Sequence, residues 1–108
     1  GRDKDMIISG GLNIYPKEIE FFLDSQPDVL ESAVIGIPHF DLGEAVIGVI
    51  VSEKNSKPNL DKIAKNLSKS LARFKNPRKL FVIEKLPRNS MGKVQKNFLR
   101  EDYKGTFS

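Results

Sequence analysis

The sequence predicts a small α+β domain in which a three-stranded sheet is packed by helices and preceded by a short two-stranded hairpin. Three observations carry that prediction. Apolar, β-branched runs at 31–37, 45–51 and 80–83 read as strands. A stretch of helical periodicity separates the last two, and the elements alternate without a regular crossover period, which favours helices on one side of the sheet. A chain of 108 residues with 39% hydrophobic and 30% charged residues suits one globular domain with a single modest core.

Met6-Ile7-Ile8 is a short strand, and Ser9-Gly10-Gly11 ends it with residues that tolerate positive φ. Ile14 marks a second short strand. Pro16 suits the first turn of a helix, where its missing N–H would be unpaired, and Glu18 and Glu20 follow where the helix dipole favours negative charge. Ile19, Phe22 and Leu23 share one face of that helix, which must stop before Pro27. The runs 31–37 and 45–51 pair as a hairpin, joined by a loop at 38–44 long enough to fold over the sheet edge, with His39 a residue of that loop. Leu60, Ile63, Ala64, Leu67 and Leu71 recur at helical spacing, with Asn59 as N-cap and Asp61 in the first turn. Lys75-Asn76-Pro77-Arg78 breaks the helix before the strand at 80–83, and Val94, Phe98 and Leu99 indicate a last short helix.

Charge and cysteine content narrow the function. The 18 basic residues exceed the 14 acidic ones, giving a net charge of +4 concentrated between residues 62 and 104. That favours phosphate-bearing ligands without the density of a dedicated nucleic-acid surface. The absence of cysteine excludes disulfides and thiol chemistry and fits a reducing compartment, with cytoplasm the expectation. No apolar run is long enough for a helix to cross a bilayer. No metal site is expected, because His39 is the only histidine and has no imidazole partner.

The residues that carry chemistry lie at the two ends of the chain. Pro87-Arg88-Asn89-Ser90-Met91-Gly92-Lys93-Val94-Gln95-Lys96 is a proline-opened turn that delivers Lys93, a long-stemmed point charge, at a loop tip. On spacing alone, Gly92-Lys93 reads as a surface pair in a basic tail. Gly1-Arg2-Asp3-Lys4-Asp5 opens the chain, followed by the strand, the glycine pair and the helix start up to Glu20. In this order and spacing the two stretches resemble the C-terminal domain of the acyl-adenylate-forming (AMP-binding) enzymes, most closely that of an acyl-CoA synthetase. The resemblance covers almost the whole chain.

The resemblance implies that 1–108 is the mobile C-terminal domain of an ATP-dependent carboxylate–CoA ligase, with a hinge motif at 1–20 and a catalytic lysine loop at 87–96. Such an enzyme converts an acid and ATP to acyl-AMP and pyrophosphate; CoA then displaces AMP. Lys93 becomes the adenylation lysine, Lys4 the hinge and Arg2 the residue near the adenylate ribose. Gly10 and Gly11 become the loop beside the pantetheine tunnel; from sequence alone they equally make a simple turn. Lys69, Arg73, Lys75 and Arg78 are candidates for the phosphates of CoA. Leu12 departs from several short-chain acyl synthetases, which carry a phosphate-contacting arginine there. ATP or AMP and CoA are the expected cofactors, with Mg²⁺ bound through a large N-terminal domain. The expected partners are that domain, CoA and a carboxylic acid, with no nucleic acid, and the isolated piece should be inactive. Two alternatives stay open: an adenylation domain serving a carrier-protein thiol, and a small basic nucleic-acid-binding module presenting sheet aromatics.

Overall fold

The computed structural model describes residues 5–107. Five strands and three α-helices follow the order β1 (Ile7–Ser9), β2 (Leu12–Ile14), α1 (Pro16–Asp24), β3 (Val29–His39), β4 (Gly43–Ser52), α2 (Leu60–Ser70), β5 (Lys79–Ile83) and α3 (Lys96–Tyr103). β3 and β4 form a long antiparallel hairpin, and β5 lies parallel to β4 on its other side after the α2 crossover. The β1–β2 hairpin joins this three-stranded unit through one residue pair, Ser9 with Gly43. The expected sheet and hairpin are therefore both present, fused along β4.

Helices cover both faces of the sheet, which corrects the expectation of one. Ile19 and Leu23 from α1 and Ile63 and Leu67 from α2 pack with Ile7, Ile14, Val34, Val46 and Ile50. Ala33, Ile35, Ile37, Ile47, Val49 and Val51 turn the other way and meet Leu86 and Leu99, with Phe81, Val94, Tyr103 and Phe107 at the margin. The reason lies in the strand period: side chains alternate between faces, so a run apolar at every position must be covered twice. Two glycines admit close packing on the α1 side. A Cβ at Gly48 would lie 2.8 Å from Leu80 Cδ2 and 3.2 Å from Leu23 Cδ1; at Gly36 it would lie 2.4 Å from Glu44 Oε1 and 2.8 Å from Ile7 Cγ2.

Local signals act as the sequence indicates at α2, where Asn59 Oδ1 accepts from Lys62 N at 3.1 Å and caps the helix. Ala64 on that helix is exposed, off the buried stripe of Ile63 and Leu67. The β3–β4 connection is shorter than expected. Pairing runs on to His39 opposite Gly43, leaving Phe40-Asp41-Leu42 as the turn. His39 ends the strand, and its Nδ1 accepts from the backbone N–H groups of Asp41 and Leu42, both at 3.0 Å, so it organises the turn.

Candidate functional site

The lysine loop is a turn closed by an antiparallel bridge between Arg88 and Val94. Asn89 N donates to Lys93 O at 3.0 Å, and Gly92 N donates to Asn89 O at 2.9 Å. The Asn89 side chain does more than its backbone: Oδ1 accepts from Met91 N at 2.9 Å and from Lys93 N at 3.0 Å. Asparagine is suited to such self-closing turns because its short amide reaches backbone N–H groups just downstream. Gly92 takes φ +83°, with open space where a Cβ would sit, so backbone geometry rather than room demands glycine there.

Polar side chains fasten both flanks of the loop. The Arg88 guanidinium donates to Gly92 O at 2.7 Å and pairs with Glu31 on β3. Lys96 Nζ sits 2.8 Å from Glu20 Oε2 on α1. Lys93 itself is exposed, and among the described residues it has no carboxylate partner. Beneath the loop runs a groove of about 490 Å³ lined by Asp5, Tyr15, Glu20, Lys93 and Lys96, among others. Asp5 is neutralised by Arg100 at 3.1 Å and Glu20 by Lys96, so Lys93 is left as the loop's uncompensated cation, suited to an anionic ligand.

A second groove of about 480 Å³ opens beside the glycine pair, lined by Ser9, Gly10, Leu42, Arg73, Phe74 and Arg78, among others. Gly10 and Gly11 take φ +58° and +82° between the paired residues Ser9 and Leu12, as a tight two-residue hairpin turn requires. Gly10 N also donates to Leu42 O at 2.9 Å, anchoring the turn to the β3–β4 connection. The fold thus brings Gly10, Arg73 and Arg78 together. Lys69 is exposed on the last turn of α2 and does not line the groove. Lys75 lies outside it too, its ammonium 2.9 Å from Glu18 Oε1. Phe74, 42% exposed between two cations, lines the groove and escaped the sequence reading, although an apolar ring in a basic segment was the available signal. Two guanidinium groups and an aromatic face fit a phosphorylated nucleotide: forks for phosphate oxygens and a surface for a base.

The segment 5–9, which ends in strand β1, links the two grooves, with Asp5 lining one and Ser9 the other. Four residue steps at the strand rise separate them by no more than about 14 Å. The hinge candidate Lys4 and the ribose candidate Arg2 lie outside the described residues. Among the described residues, Asp24 and Tyr103 have shifted pKa values, both away from the loop tip. Partial burial of its carboxyl raises the Asp24 pKa, although the residue as a whole is exposed; the hydrogen bond from Ser32 opposes the rise, and Glu20 and Glu31 add to it. Burial, with Asp102 nearby, likewise raises the Tyr103 phenol. Among the described residues there is no group of three or more His, Cys, Asp or Glu side chains that could hold a metal ion. No helix among the described residues is long and apolar enough to cross a membrane.

Comparison with known proteins bears on this arrangement. The family described as the AMP-binding enzyme C-terminal domain matches residues 18–93. A long-chain-fatty-acid–CoA ligase of Mycobacterium tuberculosis is 44% identical over 105 residues, covering 97% of this chain and 21% of that protein. An indoleacetate–CoA ligase of Aromatoleum aromaticum is 41% identical over 101 residues, covering 94% of this chain and 20% of that protein. The crystal structure of ATP-bound MatB from Rhodopseudomonas palustris superposes with a TM-score of 0.96 at 50% identity, over 100% of this chain and 22% of that one. The chain thus spans about a fifth of the length of the curated relatives it matches.

Proposed function

This chain belongs to the AMP-binding enzyme C-terminal domain family, and from that premise we propose that residues 1–108 are the mobile C-terminal domain of an ATP-dependent carboxylate–CoA ligase. Its work would be divided with a larger N-terminal domain that holds the acid, ATP and its Mg²⁺. The observation that carries the reading is the state of Lys93: it sits at the tip of an ordered turn, exposed, while the cations flanking it at Arg88 and Lys96 are both paired with carboxylates.

The chemistry needs such a charge. Acyl-adenylate formation brings a carboxylate against the α-phosphate of ATP, two anions that repel, and expels pyrophosphate. An ammonium placed between them offsets the repulsion and stabilises the charge that grows as the phosphorus–oxygen bond breaks. In the second half-reaction the CoA thiol displaces AMP and yields acyl-CoA. The second groove supports that step: Gly10 and Gly11 present bare backbone along which a pantetheine arm can pass, and Arg73 and Arg78 face the solvent where the phosphates of CoA would lie. Lys69 and Lys75 take a lesser part, at most as longer-range charge. Lys4 acts as hinge and Arg2 contacts the adenylate ribose. The two curated relatives, a long-chain-fatty-acid–CoA ligase and an indoleacetate–CoA ligase, favour CoA over a carrier-protein thiol. Both sheet faces are covered, which disfavours a nucleic-acid platform built on bare aromatics. Turnover in the cytoplasm on fatty or aryl acids, and inactivity of the domain alone, belong to the same proposal.

The test uses the complete protein carrying this domain. Lys93→Ala should lower acid-dependent pyrophosphate release by about 10²–10³-fold, while conversion of a supplied acyl adenylate and CoA to the thioester persists. Equal loss of both half-reactions would remove the assignment.

A further inference from the structure

We infer that Glu20, acting through Lys96, is a positioning residue that sets where Lys93 stands; the inference rests on the ligase reading for its catalytic consequence but not for its structural content. Glu20 Oε2 receives two donors at 2.8 Å, the backbone N–H of Val34 and the ammonium of Lys96. Both side chains are largely withdrawn from water, at 19% and 16% exposure. Val34 belongs to the outer strand β3, where no neighbouring strand is present to accept from its outward N–H. The carboxylate supplies that acceptor and is thereby fixed to the sheet. On its own helix it follows Ile19, which is fully buried, so its stem is held as well.

The consequence passes to the loop. Lys96 is the first residue of α3 and stands three positions after Lys93. One end of the loop is therefore tied through Lys96 to α1 and β3, and the other through Arg88 and Glu31 to β3. An exposed pair would hold the chain weakly. A pair this far out of water is costly to break one partner at a time, because the survivor keeps a poorly solvated charge and must leave its seat to rehydrate. Without Glu20 the Lys96 ammonium turns outward, the first turn of α3 shifts, and Lys93 samples positions away from its working one. Glu20 touches no reacting atom in this account; it works by restricting a neighbour.

The first measurement needs only the 108-residue chain: backbone amide-nitrogen relaxation in wild type, Glu20→Gln, Lys96→Met and Lys96→Arg. Glu20→Gln keeps an acceptor for Val34 and removes the charge, so the fold should survive. The expected result is increased fast motion at Gly92 and Lys93 in Glu20→Gln and Lys96→Met, with Gly10 and Gly11 unchanged and Lys96→Arg close to wild type. Unaltered relaxation at Gly92 and Lys93 in both charge-removing variants overturns the inference. The second measurement uses the complete protein with straight-chain fatty acids and benzoate as probes. Each charge-removing variant should lower kcat for pyrophosphate release by roughly ten- to a hundredfold, with a smaller change in KM for the acid. Thioester formation from the matching synthetic adenylate should be spared, and the double variant should be no worse than either single one. Equal loss of both half-reactions overturns the positioning role. A wild-type protein that makes thioester from none of these acids or their adenylates would count against the ligase reading, and the relaxation data would still decide the clamp.

Discussion

The lysine loop and the glycine turn both need positive φ, at Gly92 in one and at Gly10 and Gly11 in the other, yet they are fastened by different means. Side chains hold the lysine loop: the Asn89 amide within it, and the Arg88 and Lys96 pairs at its flanks. Main chain holds the glycine turn, through the β1–β2 ladder, the Ser9 pairing with Gly43 and the bond from Gly10 N to Leu42 O, above the buried Ile7 and Ile14. The difference suits what each presents. A long flexible ammonium must be aimed, and the contacts that aim it are polar and sensitive to charge. A bare backbone surface has only to keep its shape, which hydrogen-bonded strands over an apolar floor do without help.

Gly36→Ala should have the largest effect on folding stability and should fall on the glycine end. The new Cβ would strike Glu44 Oε1 and Ile7 Cγ2 at once, and Glu44 Oε2 receives Ile8 N at 3.2 Å, so β1 must move. A loss of about 1–3 kcal/mol in thermal unfolding is expected, with hydrogen exchange rising at Ile8 and Gly10 while the Lys93 amide is spared. If both ends loosened together, the glycine turn and the lysine loop would not be fastened independently. Asn89→Ala should act on the other end and more gently. It removes the acceptor of two loop amides, a local loss of about 1 kcal/mol seen as faster exchange at Met91 and Lys93, with the melting temperature nearly unchanged because the loop can open without the core.

Asp24→Asn should have the smallest effect, and it sharpens the account of the charged end. The Asp24 carboxyl is raised by burial and sits at the last residue of α1, where the helix dipole also disfavours an anion. A group whose value in the fold lies above its unfolded value supports folding most at low pH, and that support is lost as pH rises through the folded value. The neutral amide should therefore raise stability at pH 7 by less than about 1 kcal/mol, keeping an acceptor for Ser32 Oγ, which now reaches Asp24 Oδ1 at 2.6 Å. The advantage should vanish below the ordinary value of 3.8 in paired thermal melts across pH. A gain that persisted in acid would point to packing instead.

Much of the fold was legible in short-range signals. Asn59 before a strict apolar period gave α2 its start, the glycine pair gave the first hairpin, and apolar runs gave the three long strands. Element order alone puts α3 on the same side as the other helices, but 45–51 is apolar at alternate and intervening positions alike, which a sheet covered on one side would not tolerate. The β3–β4 turn was overestimated because Pro38 and His39 look like loop residues, whereas an edge strand accepts a proline whose missing N–H would face outward. The exposed place of Lys93 at the tip of a turn was legible through its neighbours in sequence, Gly92 above all. The partners that hold it were not, because Glu20 and Glu31 meet Lys96 and Arg88 only after the chain has folded back on itself.

The outer strand β3 has one further consequence. A row of outward amides and carbonyls along a strand this long is an invitation for a second molecule to add itself, and such growth is how sheet proteins begin to clump. Here the row is interrupted: a carboxylate occupies the amide of Val34, Pro38 has none to offer, and Phe107 bridges to His39 at the far tip. The same contact that steadies a loop thus closes a docking rail, so Glu20→Ala, which leaves the Val34 amide without its acceptor, should also make the chain stickier in concentrated solution.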